Sequence, residues 1–349
     1  MRVHIYDLQI GDRLASNVFN DSGLHVLSNG KMLDAQDINK LFNHRIDYVE
    51  IHRRLSDDSS LAMVSKAEES ARKIQPFFDL AVDGAKDLFE QVVRTGKFDA
   101  EQIHENFDPL VESFNQETDV VQLLLSLNGK DDYTFHHSVQ VGMISYYLAK
   151  WLGKSREESL FTGKAGYLHD IGKSRIDSAI LNKPSKLTPE EYESIKQHTL
   201  IGRDIIENSM GASALSLAAL QHHERLNGSG YPHGIRGDQM HPVSKIVAVA
   251  DVYSAMISSR VYQQKRDLLV VLKELHRLSF SELDPFIVQT FIRNMIPNFL
   301  GKSVSLSTGE IGKIVFTNPS DFFRPLVQVE DKFIDLADSP QIDIEMIFL

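Results

Sequence analysis

The 349-residue chain contains no cysteine. That excludes a disulfide framework and any thiolate-ligated metal. It also lacks an apolar run near the roughly eighteen residues that a membrane-spanning helix needs. Residues 1–7 have no apolar core of the kind a secretory signal requires, so a cytoplasmic protein without a membrane segment is expected. A surplus of basic residues is missing as well. Lysine and arginine number 37 against 48 aspartates and glutamates, a formal net charge of −11. This balance argues against general affinity for DNA, which depends on basic surface. A small anionic substrate remains compatible with it, provided that one pocket is locally basic.

The apolar share, 42%, can build a sizeable core, and the length predicts two or three domains. Residues 1–60 alternate short β-like runs with Gly-containing turns that suggest hairpins. They add a short helix over Asp34–Phe42 and a returning strand at Tyr48–Ile51. This reads as a small α+β regulatory or accessory module, with the polar stretch Arg53–Ser60 as a linker. From 61 to 128 apolar residues such as Ile74, Phe78, Ala81, Phe89 and Val92 recur at helical spacing. Breaks are expected near Gly96 and near Asp108-Pro109. Such a helical connector packs on a neighbouring domain or in a homodimer. Residues 129–300 are helical in pattern, with helices over Thr134–Leu152, Glu157–Ile171, from Thr188, Ala212–Glu224 and Ser244–Ser258, then 267–280 and 284–296. Thr188 reads as an N-cap followed by Pro189 and two acids, and Gly153 as a C-cap. After Gly301 the period changes to that of short strands, so 301–349 is expected to be a small β tail. The fold class is therefore mainly α.

Within the helical region lies His169-Asp170, an imidazole beside a carboxylate on an apolar approach. Such a dipeptide alone means little. Its company gives it weight: His137 precedes it, and Lys173, His198, His222, His223 and Asp251 follow. Imidazole suits transition metals, and carboxylate adds hard oxygen donors. Five histidines and two aspartates exceed the three or four protein ligands of one metal. Seven such ligands fit two metals bridged by Asp170 and a water. A pair of metals about 3.5–4 Å apart is a recurring solution for phosphoester hydrolysis, generating a hydroxide nucleophile and steadying the attacking and leaving oxygens. Taken singly, each histidine is better read as a core or surface residue. His136, His233 and His241 are expected to be non-ligands.

The motifs His137-Ser138, His169-Asp170-Ile171-Gly172-Lys173, Ile180–Pro184, Lys196-Gln197-His198, His222–Arg225, Gly228-Ser229-Gly230-Tyr231-Pro232, Ala250-Asp251 and Arg260-Val261-Tyr262 run in one order over residues 131–265. In this region the chain resembles the HD-GYP family, the HD-superfamily phosphohydrolases that cleave cyclic di-GMP. The resemblance implies a helical HD-GYP domain, two divalent metal ions of Fe or Mn, and cleavage of cyclic di-GMP to linear pGpG, in some members on to GMP. Carried over position by position, it implies His137, His169, Asp170, His198, His222, His223 and Asp251 as metal ligands. Lys173, with Asp170 in the catalytic set, would contact the scissile phosphate or the bridging hydroxide. Tyr231 and Arg260 would hold substrate, Arg260 by forked hydrogen bonds. Lys183 and Arg225 are further cations available to a dianionic ligand.

The chain departs from the family at several positions. Tyr133 stands where members binding three metals carry Glu, which favours two metals here. Asn227 replaces Asp before the Gly-Ser-Gly-Tyr-Pro loop, Ser254 replaces a second acid after Asp251, and Val261 and Gln263 stand where a basic residue is frequent. Two other readings follow: a module that binds a cyclic dinucleotide or a signalling partner protein without turnover, and an HD phosphohydrolase for another nucleotide.

Overall fold

The structure, a computed structural model, describes residues 2–5, 8, 11–20, 23–44, 46–52, 57–114, 133–257, 268–318 and 321–348. Two compact units are present: residues 1–68 with 299–349, and residues 69–298.

In the first unit, β1 (Arg2–His4) pairs antiparallel with β4 (Tyr48–Glu50), while β2 (Val18–Phe19) pairs with β3 (His25–Leu27). Of the two hairpins suggested by the glycine turns, only the second forms; β1 finds its partner beyond α1. That helix, α1 (Ala35–Asn43), starts at Asp34, whose side chain accepts from the Asp37 amide while Asp37 reciprocates. Val3, Leu14, Leu33, Ile38, Leu41 and Ile51 close a core beneath these strands, and Ile311 of the C-terminal region packs on it. The C-terminal strands β5 (Ser303–Leu306), β6 (Ile311–Phe316), β7 (Leu326–Val329), β8 (Lys332–Asp335) and β9 (Ile344–Phe348) form one antiparallel sheet. Its order is β8-β7-β6-β5-β9, so β9 returns to the edge beside β5.

The second unit is helical. Helix α2 (Asp57–Thr95) begins inside the stretch expected as a linker, within the first unit, and continues into this one. It ends at Gly96, whose φ is +80°. The break expected at Pro109 does not occur: α3 (Glu101–Phe114) runs through it. Losing one backbone hydrogen bond there is outweighed by an apolar face of Ile103, Phe107, Leu110, Val111 and Phe114 on both sides of the proline. Both connector helices are tied to the helices that follow. The buried Tyr167 hydroxyl donates to the Ala81 carbonyl at 2.6 Å, and its ring packs on Phe107. Then come α4 (Tyr133–Trp151), α5 (Arg156–Leu168), a 3-10 turn (Ile171–Arg175), α6 (Ser178–Leu181), α7 (Pro189–Met210), α8 (Ala214–Gln221), α9 (Pro242–Ile257), α10 (Leu268–Leu278) and α11 (Pro285–Met295). The Thr188 cap of α7 is a reciprocal box with Glu191. Among the described residues no helix is long and apolar enough to cross a membrane.

Candidate metal centre

The seven residues come from five separate places and converge. His137 lies in the second turn of α4, His198 in the middle of α7 and Asp251 within α9. His222 caps the C-terminus of α8, and His223 follows it. Helix α5 stops at Leu168, three residues sooner than its pattern suggested, so that His169 becomes its C-cap and Asp170 opens the 3-10 turn. Gly172 makes this ending possible. A Cβ there would overlap the backbone carbonyl of His198 and lie 2.6 Å from the Gly202 amide nitrogen. With glycine, the turn lies directly against α7, bringing Asp170 to His198.

Two groups of side chains result, each with ligand atoms within 4.8 Å of one another: Asp170, His198, His222 and His223, and His137, His169 and Asp251. The two oxygens of Asp170 face different neighbours. Oδ1 lies 3.3 Å from His198 Nε2 and 3.8 Å from His222 Nε2; Oδ2 lies 3.2 Å from His169 Nε2 and 3.9 Å from His137 Nε2. Asp251 Oδ1 is 3.0 Å from His137 Nε2, and its Oδ2 is 3.7 Å from His223 Nδ1.

The proton positions follow from the far side of the rings. His169 Nδ1 lies 2.6 Å from the Gly166 carbonyl, His198 Nδ1 2.6 Å from that of Ile195, and His222 Nδ1 2.9 Å from that of Ala219. A carbonyl only accepts, so each Nδ1 carries the proton and a neutral ring turns the Nε2 lone pair inward. The inward lone pairs meet carboxylate oxygens, acceptor against acceptor. Consistent with this, His169 Nε2 and Asp170 Oδ1 are buried without a hydrogen-bond partner. Buried acceptors of this kind are costly unless a cation lies between them. Imidazole nitrogens and carboxylate oxygens together are the donor set of a divalent transition metal, and these residues fit such ions.

The electrostatics agree for four of the five rings. Burial drives the His222 and His137 rings below their ordinary pKa, His198 down to about 4 and His223 down to about 3. All four are therefore neutral rings near neutral pH. Burial also opposes charge on His169, but the adjacent Asp170 outweighs it and the ring's pKa rises. Burial alone would raise Asp170; the His169 ring and the Lys173 ammonium overcome it and hold the carboxyl well below its usual range. Asp251 is held low against burial mainly by its bond to His137.

The other expected site residues are placed unequally. Lys173 Nζ donates to Asp170 Oδ2 at 2.5 Å. Tyr231 stacks on His223, with ring centroids 4.6 Å apart and an interplanar angle of 31°. Lys183 donates to both oxygens of Glu191 at 2.7 Å, which ties it to the start of α7. Arg225 donates to the carbonyls of His222 and Glu224, clamping the end of α8. Arg260 falls outside the described residues, as do Val261 and Gln263. Asn227 does the turn work expected of an acid: its Oδ1 accepts from the Ser229 amide and hydroxyl. His136 packs beside Phe78, away from the ligand groups. His233 is exposed, and His241 Nδ1 accepts from the Val243 amide.

The sequence assigns no role to four neighbours, Tyr192, Lys196, Glu224 and Gly230. Tyr192, half exposed, meets Tyr231 edge-on at 6.4 Å, and Lys196 Nζ lies 4.9 Å and 5.7 Å from the two ring centroids. The spacing of Tyr192 and Lys196, one helical turn apart with His198 close behind, was the only available signal. Glu224, fully buried, accepts from the amides of His233 and Ile235 and so holds the loop that carries Tyr231. Gly230 belongs to the same device, since a Cβ there would overlap Glu224 Cα and the His223 carbonyl.

Comparison with known proteins bears on this geometry. Residues 122–287 match the HD domain family. A cyclic di-GMP phosphodiesterase of Pseudomonas aeruginosa is 32% identical over 207 residues, which is 59% of this chain and 50% of that one. A cyclic di-GMP phosphodiesterase of Thermotoga maritima is 39% identical over 179 residues, 50% of this chain and 48% of that one. A 3′3′-cGAMP-specific phosphodiesterase of Vibrio cholerae is 36% identical over 169 residues, 48% and 39% of the two chains. The chain thus spans about half or less of the length of these curated relatives. Among solved structures, an HDG"Y"P protein from Bdellovibrio bacteriovorus superposes with a TM-score of 0.53 at 18% identity, covering 84% of this chain and 99% of that one. That likeness concerns the fold.

Proposed function

Residues 122–287 match the HD domain family, and on that premise we propose that the chain hydrolyses a phosphodiester bond of cyclic di-GMP to linear pGpG. The observation that carries this reading is the convergence of five imidazoles and two buried carboxylates on one spot, beside a lysine ammonium. His198, His222 and His223 would hold one divalent ion, His137, His169 and Asp251 a second, with Asp170 shared through its two oxygens. Iron and manganese suit such a nitrogen and oxygen set. Ions of this kind supply Lewis acidity, which activates water at neutral pH and neutralises phosphate charge.

The chain's own groups do the rest. Lys173, already 2.5 Å from Asp170, places an ammonium where negative charge grows on the phosphate during cleavage. Water adds across one P–O3′ bond, leaving a 5′-phosphate and a free 3′-hydroxyl. Tyr231 and Tyr192 offer aromatic faces to a guanine, and Lys196 between them offers a cation to base or phosphate. The Glu224 bonds keep Tyr231 preorganised. The connector's exposed Phe77 and Leu80 leave apolar surface for a homodimer, to be tested by light scattering.

A relative specific for 3′3′-cGAMP favours a second reading in which the mixed dinucleotide is the substrate. The test is a panel of cyclic di-GMP, 3′3′-cGAMP and cyclic di-AMP incubated with Mn- or Fe-loaded protein and followed by chromatography. Conversion of cyclic di-GMP to pGpG at the highest kcat/KM is expected. Tight binding without turnover of any of the three would replace the enzyme with a receptor.

A further inference from the structure

His169, His198 and His222 each rest their outer nitrogen on a main-chain carbonyl, which can only accept. His137 does not share this arrangement. Its Nδ1 lies 3.0 Å from the hydroxyl of Ser254, a group able either to donate or to accept. The direction is set one step further out: Ser254 Oγ donates its single proton to Gln140 Oε1 at 3.1 Å. Ser254 thus links the outer nitrogen of His137 to Gln140 on the same helix. The inner nitrogen, Nε2, lies at hydrogen-bond distance, 3.0 Å, from Asp251 Oδ1 and 3.9 Å from Asp170 Oδ2. Ser254 is fully buried and Gln140 and His137 nearly so, which leaves bulk water little part in the choice.

The sequence positions are as telling as the distances. Gln140 lies three residues after His137 on α4, and Ser254 three residues after Asp251 on α9. Each member of the pair thus sits one helical turn from a candidate ligand on its own helix. The Gln140–Ser254 bond crosses between the same two helices as the His137–Asp251 contact. We propose that Ser254 and Gln140 are positioning residues that fix the His137 ring with Nε2 turned towards Asp251 and keep α4 and α9 in register at the His137, His169 and Asp251 group. In this chain the Ser254 hydroxyl anchors the outer nitrogen of His137, as main-chain carbonyls anchor those of His169, His198 and His222. The departure from an acid at 254 is then a working second route to the same ligand geometry.

This inference rests on the metal-binding part of the proposed function, and the test separates the two. Full-length protein is stripped with chelator and titrated with Mn²⁺ or Zn²⁺ in competition with a chromogenic chelator. Wild type, Ser254→Ala, Ser254→Thr and Gln140→Leu are compared, with melting in chelator as the check on folding. Ser254→Ala is expected to weaken one of two binding steps by about 10–100-fold and leave the other unchanged. Ser254→Thr, which keeps the hydroxyl, should restore it. Gln140→Leu frees the serine proton to turn towards His137 and should weaken the same step. Nitrogen spectra of the Zn-loaded protein should show the His137 Nδ1–H resonance shifted by Ser254→Ala and returned by Ser254→Thr, a signature that a merely space-filling serine would not set. If wild type binds two ions and both Ser254→Ala and Gln140→Leu bind two as tightly, the inference falls alone. If wild type binds no divalent ion, the proposed function falls with it. Should Ser254→Ala fail to fold, Gln140→Leu decides the matter by the same criterion.

Discussion

Replacing Gly172 by alanine is a demanding test of how the centre is built, because the residue bears no ligand and touches no substrate. The added Cβ would overlap the carbonyl of His198 and stand 2.6 Å from the Gly202 nitrogen, both main-chain atoms of α7. Neither can swing aside as a side chain would. To reach ordinary contact the turn and α7 must separate by about 0.8 Å or more at Gly202, and further at His198. The obstructing carbonyl belongs to His198 itself, so the displacement carries that ligand along and lengthens the 3.3 Å approach of its Nε2 to Asp170 Oδ1. Ligand sets tolerate errors of only a few tenths of an ångström, roughly 0.2–0.5 Å. Overpacking of this sort also costs about 1–3 kcal/mol of stability. Gly172→Ala should therefore remain folded with a lowered melting temperature and retain about one metal per chain in place of two. The remaining ion would belong to the His137, His169 and Asp251 group. Elemental analysis and calorimetric Mn²⁺ titration read this out. Two metals bound with wild-type affinity and an unchanged melting temperature would refute the argument that the Gly172 approach sets the position of His198.

Other outcomes follow from the same geometry. Burial lowers the folded-state pKa of His198 to about 4 and of His223 to about 3, so between those values and the unfolded value near 6.5 the unfolded chain binds more protons. The stability of metal-free protein should accordingly fall as pH drops through that window, by on the order of 3 kcal/mol for His198 alone, and urea denaturation in chelator at pH 7, 5.5 and 4.5 checks it. A flat profile would mean that these rings are not buried neutral bases. Tyr192→Ala should raise KM for the cyclic dinucleotide by about 5–100-fold, the range of one lost base stack, with Tyr192→Phe near wild type and metal content unchanged in both. Glu224→Ala strands two loop amides at about 1–3 kcal/mol each; KM should rise while metal content holds, and loss of metal would contradict the assignment of Glu224 to the loop. Adding Mn²⁺ at a hundred times its Kd should stabilise stripped protein by about 2.7 kcal/mol per site, an increment that Asp170→Ala should abolish, as a thermal shift will show.

Much of this arrangement was legible in the residues, and the parts that were not share a cause. Taken singly these side chains carry no mark, but as a set within the motifs of the HD-GYP resemblance His137, His169, Asp170, His198, His222, His223 and Asp251 could be gathered before any geometry was known. The capping box at Thr188 and the C-cap at Gly153 are written within four residues. Other features depend on what arrives from far along the chain. β1 bypasses the nearer runs and pairs with β4 because the intervening helix returns the strand to it. Ile311 joins the N-terminal core from the opposite end of the sequence. Pro109 reads as a break until the buried face spanning it is seen. Lys183 and Arg225 read as cations free for a ligand until Glu191 and the carbonyls at the end of α8 are seen to engage them. Tyr192 is marked only by its one-turn spacing from Lys196, since its place follows from a loop about forty residues away.

The most direct test is to measure cleavage of cyclic di-GMP while stripped protein is reloaded with Mn²⁺ or Fe²⁺ in steps from zero to two equivalents, with Asp170→Ala alongside. No cleavage is expected without metal, with pGpG formation rising as the second equivalent is taken up and none from the variant at any loading. Cleavage that persists in excess chelator, or that Asp170→Ala matches, would contradict a metal-dependent centre built on Asp170.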